Sequence, residues 1–437
     1  MPKCTAEAVS MGRVGRRRIQ ASFTGGDLVS DGGVLLLRQM DRRLGLTRSA
    51  AAALSDRRRG ASVRHGIHPL LSQRVYGLCC GWEDVSDHNV LRRDTALQTA
   101  VGQVQELASG PTLSRFENAV DRGDTARLQA VLIEQFIVHW RDAPPEQLVL
   151  DIDATHVPLH GAQERAAFNR HYDNYCYLPV YVFCGQDLLA CVLRPSDRDP
   201  AKILSALVRT LARQLRQAWP QVQLIVRADS GFCRAPALRR FERWGIDYVI
   251  GLQKNVTLLQ RVALAELMLA EDYGREHSKQ RLIGEFTYAA RSWNRERRVI
   301  TRLEHDARGA NPRFVVTSLT GEATELYDRL YCARGEAENR IKEAQLDLFG
   351  RRASCHAWQA NQLRLLLAAL AYTLMVHLRR SALHGTELAR ACTQTIRTRL
   401  LKIGAAVVRN TRRVQVLLAS NHPMKALFML AAQRLGP

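Results

Sequence analysis

The amino-acid sequence predicts an α/β fold. It describes a mixed sheet with flanking helices, interrupted by a β-rich insertion and set between a mainly helical N-terminal region and a helical C-terminus. Three observations predict this. The Pro144-Pro145 pair marks a change from helical to extended period. Three short extended runs follow before any helix, and helix and strand then alternate. From about Lys254 a second group of extended segments precedes a return to helical pattern.

Residues 1 to about 145 read as mainly helical after a basic start, Arg13-Val14-Gly15-Arg16-Arg17-Arg18, and a short stretch of strand character around Ile19 to Phe23. A new domain begins near 146. Candidate strands run from Leu148 to Thr155, Leu178 to Cys184 and Leu188 to Pro195, with Gly185-Gln186-Asp187 as the tight turn between the last two. A helix from about Ala201 to Trp219 follows, then strand Gln223 to Asp229, helix Ala235 to Trp244 and strand Asp247 to Leu252. A three-strand meander followed by alternating helix and strand is the order of a ribonuclease-H-like sheet. That sheet domain is expected over 146–253, with a mostly β insertion over 254–324 carrying segments such as Gly284 to Tyr288, Arg298 to Arg302 and Arg313 to Thr317. Its second, helical part is expected over 325–380 and a further helical region over 381–437.

Charge points to the partner. Of 437 residues, 63 are Lys or Arg against 42 Asp or Glu, a net charge of +21, and 56 of the cations are arginine. Arginine meets phosphate oxygens bidentately and is hard to neutralise, so nucleic acid is the natural counterpart. An apolar content of 46% allows a full core and excludes a disordered basic tail. The ten cysteines are scattered, without the paired spacing of a zinc site, and read as reduced thiols. The start of the chain lacks a signal peptide's apolar stretch, which suggests a cytoplasmic protein. The most apolar helix, Leu363 to Val376, contains Arg364 and reads as a core helix, so no membrane partner is expected.

Three acids stand in settings that share one chemical use. Asp153 lies in the apolar run Leu148 to Thr155, Asp229 ends the run from Leu224, and Glu338 sits on a basic helix. A carboxylate at the end of a buried strand carries a desolvation cost that a divalent cation offsets. Side chains alternate along a strand, so Asp151 shares a face with Asp153. In the expected sheet order the first and fourth strands are parallel neighbours, which brings Asp229 to Asp153. Helix capping is the plainer role for Asp229. Tyr331, Arg334, Glu338 and Lys342 are spaced three, four and four, one helical stripe, and this selects Glu338 over Glu336 and Glu343. A surface ladder of Arg334, Glu338 and Lys342 is the alternative there. Carboxylates without His or Cys partners select hard cations, so two Mg2+ ions are implied, with Mn2+ able to substitute. Two such ions serve in-line displacement at phosphorus, and the reaction class is phosphoryl transfer on a nucleic-acid backbone.

The chain resembles the DDE transposases of bacterial insertion-sequence family 1380. The likeness is carried by Leu71 to Gly77 with Asp84 and Leu91 to Asp94, by Pro111 to Asn118, and by Asp151-Ile152-Asp153-Ala154-Thr155-His156. It continues through Gly161, Gln163, Glu164, Asn169, His171 and Tyr172, then Arg227 to Phe232, and Arg334 with Glu338 to Glu343. The resemblance implies a ribonuclease-H-like catalytic domain interrupted before its last acid. It also implies catalytic metal binding by Asp153, Asp229 and Glu338, with Asp151 as an auxiliary ligand. Related transposases carry Tyr, two residues, Arg, three residues, Glu, six residues, Lys. Tyr331, Arg334 and Glu338 fit, but the last position is Gln345, and Lys342 is the candidate for the missing charge. Action as a homodimer bridging two double-stranded DNA ends is a further implication.

Other residues complete the candidate DNA surface. Tyr331 and Arg334 are placed on the scissile strand's phosphates, with core packing as the alternative for the tyrosine. Trp293, between Arg291 and Arg295, is a candidate to stack on an unpaired base, against a structural role. Arg16, Arg17 and Arg18, and Arg57, Arg58 and Arg59, are candidate phosphate contacts, against a merely solvated face. His156, His160 and His171 read as phosphate-contacting or supporting residues rather than ligands. The expected function is a transposase that binds terminal inverted repeats, cleaves at element ends and joins the 3′ ends to target DNA. A transposase-derived DNA-binding regulator and a stand-alone metal-dependent nuclease are the alternatives.

Overall fold

The computed structural model describes residues 8–60, 63–199 and 201–436. The chain divides into two compact units. One comprises residues 52–55 and 117–373; the other joins residues up to 51, 56–116 and 374 onward.

In the 117–373 unit, helix α1 (Arg122–His139) precedes strands β1 (Gln147–Ala154), β2 (Val180–Cys184) and β3 (Asp187–Val192). Helix α2 (Ala201–Ala218), β4 (Gln223–Ala228), α3 (Ala235–Arg243) and β5 (Asp247–Leu252) follow. Then come α4 (Val256–Glu276), β6 (Gln280–Tyr288), β7 (Arg297–Asp306) and β8 (Arg313–Thr317). The sheet runs β6-β7-β8-β5-β4-β1-β2-β3. β1 pairs parallel to β4 and antiparallel to β2, β4 pairs parallel to β5, and β2 pairs antiparallel to β3. This is the ribonuclease-H-like α/β order. The β2–β3 turn closes on Gly185, whose φ of 57° suits glycine at the first central position of a two-residue hairpin loop.

The segment after β5 adds two features to the mostly β insertion expected from the sequence. It opens with α4, a 21-residue helix capped by the Asn255 side chain accepting from the Leu258 N–H. Its strands do not form a separate sheet: β8 pairs antiparallel with β5 and carries β7 and β6 outward on the same sheet. The physical reason is a shared core. Leu258, Val262 and Leu269 of α4 pack with Leu204 and Leu211 of α2, Leu238 and Phe241 of α3, and Val299 and Val316 of the added strands. The other sheet face buries Ile225, Val249, Ile300 and Val315 against Tyr327 of the helical segment that leads to Glu338.

Helix α5 (Gly335–Lys342) carries Glu338, and α6 (Trp358–Ala382) follows. Arg364 inside apolar α6 is explained by Glu117, whose carboxylate lies 3.5 Å away with both side chains buried. The outer edge of β3 is closed by two glutamines that imitate a neighbouring strand. Gln129 of α1 bonds Leu189 O and Cys191 N, and Gln362 of α6 bonds Cys191 O and Leu193 N, at 2.7–3.1 Å.

The other unit is knitted from both ends of the chain. Helices Val34–Leu44 and Ile67–Cys80 belong with a three-stranded sheet in which Ala405–Arg409 pairs with Val414–Leu418 and with Leu28–Val29. The segment beyond 381 therefore contains a hairpin as well as helices. Arg397 donates to the Cys79 and Leu78 carbonyls, and Lys402 lies 2.7 Å from Asp31. Among the described residues no helix is long and apolar enough to cross a membrane.

Candidate active site

Strand register assembles the site. Ile152 of β1 lies opposite Ala228 of β4, so Asp153 and Asp229, each the next residue, leave adjacent parallel strands at the same level. Asp153 Oδ1 accepts from the Ala154 N–H at 2.9 Å, and Asp229 Oδ1 accepts from the Gly231 N–H at 2.9 Å. Asp229 thus also caps the short turn that follows.

The helical segment supplies the rest. Its turns at Leu326–Tyr331 and Glu343–Asp347 are π-helical, flanking α5, a local widening often found at functional sites. Arg334 spans two acids: Nη1 donates to Asp153 Oδ2 at 3.2 Å and Nη2 to Glu338 Oε1 at 2.8 Å. Both Arg334 and Asp153 are mostly buried, whereas the Glu338 side chain is 46% exposed. Burial pushes the Asp153 carboxyl up to about 6; Arg334 opposes the shift, and the Asp229 and Glu338 carboxylates add to it. Three acids around one guanidinium make a site with an excess of negative charge.

Tyr331 packs against the core and reaches the acidic site. Its ring lies 5.6 Å from that of Tyr327, and its hydroxyl reaches the Asp229 turn, where a Cβ on Gly251 would fall 2.7 Å from it and 2.9 Å from the Ser230 nitrogen. Gly251 is what permits that approach. Gln345, at the position of the related proteins' lysine, is buried, and its Oε1 accepts from Thr155 Oγ1 at 3.2 Å. The glutamine therefore ties the helix to the Asp153 strand. Lys342 is exposed one turn earlier.

Several expected residues lie elsewhere. Asp151 is 2% exposed and sits in a bidentate ion pair with Arg227, directly opposite on β4. Both of its oxygens are committed to the guanidinium, which corrects the auxiliary-ligand expectation. Arg227 also donates to the Leu330 carbonyl, so one buried side chain brackets β1, β4 and the segment bearing Tyr331. Trp293 packs edge-on against Tyr288, with Arg297 5.1 Å over its ring. Because Tyr288 pairs with Arg297 at the start of β7, that turn lies at the end of the sheet opposite Asp153 and Asp229. This corrects its placement beside the cut, and the tryptophan serves the core.

Arg16, Arg17 and Arg18 are exposed on an N-terminal hairpin, and Arg57, Arg58 and Arg59 are exposed on a loop where Arg58 pairs with Asp56 at 2.7 Å. His156 stacks on Tyr172 with centroids 4.4 Å apart, and Tyr172 feels both Asp153 and Asp229. Neither that stack nor the Arg227 bracket was read from the sequence. The bracket had a signal: Asp151 and Arg227 each stand two residues before the strand's acid.

Among the described residues, no three His, Cys, Asp or Glu side chains are arranged to hold an ion. The donor set nonetheless fits a hard divalent cation: it is all carboxylate, and the burial that raises Asp153 is a desolvation cost that a bound cation would offset.

A sheet of this order, with aspartates leaving two parallel neighbours and a glutamate from a helix beyond the insertion, defines the ribonuclease-H-like class of nucleic-acid-processing folds. The family model described as transposase DDE domain group 1 matches residues 11–437, and the chain belongs to that family of DNA transposases. Among solved structures it is similar to a cryo-EM structure of a piggyBac transposase synaptic complex with hairpin DNA. That match has 9% identity and a TM-score of 0.41, over 85% of this chain and 80% of that one. No curated protein sequence matches the chain.

Proposed function

We propose that this DNA transposase serves an insertion sequence of family 1380, binding terminal inverted repeats, cleaving at the element ends with water and joining the freed 3′ ends to target DNA. The supporting observation is that Arg334 joins the acid of β1 to the acid of α5, while strand register brings Asp229 beside them. Asp153, Asp229 and Glu338 would hold two magnesium or manganese ions, which supply Lewis-acid activation of the attacking oxygen and stabilisation of the leaving one. Arg334 and Tyr331 are proposed to orient the scissile phosphate, with Lys342 on the strand beyond it. For Arg334 this requires leaving Asp153 for the phosphate. A homodimer bridging two ends, in the cytoplasm, completes the reading.

The test is incubation of the full chain with a labelled element end, target DNA and Mg2+, beside Asp229→Ala. The expected result is binding by both proteins, with cleavage and joining by the parent alone. Binding without cleavage by either protein would establish a regulator. Cutting without joining would establish a nuclease.

A further inference from the structure

Residues Val9–Val14 and Arg17–Ala21 form an antiparallel two-stranded hairpin in which every residue is exposed. The pairing gives it two unlike faces. Val9 opposes Ala21 and Val14 opposes Arg17, so these share one face with Ile19; Ser10 opposes Gln20 and Arg13 opposes Arg18, so these four share the other. The extra residue between Ser10 and Arg13 is absorbed at a bulge, where Gly12 has a φ of 88°. The turn is Gly15-Arg16, with Gly15 at a φ of 58°.

Two features of the hairpin ask for a polyanion. From residue 8 to residue 26 the sequence contains four arginines and no acid. Arg13 and Arg18 are direct cross-strand partners, and like charges in that relation destabilise a ribbon. A lone two-stranded hairpin is marginal in water even without such repulsion. The B-DNA major groove, about 12 Å wide, admits a two-stranded ribbon. Arginine and glutamine are the side chains that bond bidentately to guanine and adenine edges there.

We propose that the Val9–Ala21 hairpin is a duplex-DNA-reading ribbon, with Ser10, Arg13, Arg18 and Gln20 facing the base edges of the major groove and Arg16 at the turn on a phosphate. This rests on the transposase reading for why sequence must be read, and it adds the element that reads it. The four polar side chains form one surface of the hairpin.

The test uses the full chain and fluorescence anisotropy with two short duplexes. One is the terminal DNA bounding the chain's own coding sequence; the other is a scramble of it. Arg13→Gln with Arg18→Gln is expected to weaken the terminal duplex by roughly thirtyfold or more and the scramble far less. Arg16→Gln is expected to weaken both alike and to reduce the log-log salt slope by about 0.9. All three residues are exposed, so thermal unfolding reports whether folding is intact. Unchanged affinities, or equal loss on both duplexes in the double variant, would overturn the inference. So would Ile19→Asp dissociating an oligomer while DNA affinity stays as in the parent, which would make the ribbon a contact between copies. Nicking of the same duplex at saturating protein is scored separately. Nicking with hairpin-independent binding sinks the ribbon alone, and hairpin-dependent binding without nicking sinks the transposase reading alone.

Discussion

Replacing Asp151 with leucine tests whether the Arg227 bracket holds the site together. Asp151 is 2% exposed and Arg227 7% exposed, and the guanidinium divides its donors between both Asp151 oxygens and the Leu330 carbonyl. Asp151→Leu leaves a buried cation uncompensated, which costs about 3–5 kcal/mol. For a unit the size of 117–373, each kcal/mol moves the midpoint by roughly 2–4 °C, so its melting transition should fall by about 6–20 °C. Scanning calorimetry of the full chain, with limited proteolysis to assign the transition, measures this. Asp151→Leu with Arg227→Met removes both charges and should recover most of the loss. It should not recover cleavage, because the Leu330 carbonyl has lost the donor that sets Tyr331 and Arg334 above the strands. A fall below about 2 °C in the single variant would refute the buried-bracket reasoning. Full cleavage by the double variant would refute the positioning role.

Three further outcomes follow from the same geometry. Asp153 is raised from an ordinary 3.8 to about 6, so the folded state holds its proton more tightly than the unfolded chain; without divalent metal, stability from this group is present below about pH 4 and lost as pH rises through about 6. Melting temperature against pH should show that decline, and Asp153→Asn should flatten it. Arg334→Gln removes the cation between Asp153 and Glu338 and should tighten Mn2+ binding roughly tenfold, read by electron paramagnetic resonance, while cleavage falls; unchanged Mn2+ affinity would separate Arg334 from the ion site. Gly251→Ala places a methyl group 2.7 Å from the Tyr331 hydroxyl and 2.9 Å from the Ser230 nitrogen; cleavage should fall more than melting temperature, and equal activity would show that the Asp229 turn yields freely.

The sheet was legible because its signals are local. The Pro144-Pro145 break, the Gly185 turn and the alternation of apolar runs with helices each depend on a few neighbouring residues, and the strands lie within a few residues of where those signals put them. The order 3-2-1-4-5 then follows from connection rules, and it puts Asp153 next to Asp229 without any further information. What stayed hidden depends on pairing between distant segments. Extended runs such as 284–288 and 313–317 show their period, but nothing in them states that β8 pairs with β5 rather than closing a sheet of its own. The α4 helix was missed because its apolar residues are split. Leu258, Val262 and Leu269 face the core, while Val256, Leu264, Leu267 and Met268 are exposed, which blurs a single stripe.

The same distinction explains why Asp151 was misread and how the error could be avoided. The auxiliary role for Asp151 is implied by the family resemblance, and by the criterion of shared face Asp151 and Asp153 are equivalent. Parallel pairing adds a second: a residue two positions before Asp153 must meet the residue two positions before Asp229, and that residue is Arg227. An arginine and an aspartate facing each other in the middle of two apolar strands have no water to compete with, so their charges are spent on each other. Asp153 sits one pleat nearer the strand end, where its partner is an arginine on a half-exposed helix that also serves Glu338. Depth along the strand, not residue type, separates the carboxylate committed to Arg227 from the one that meets Arg334 beside Glu338.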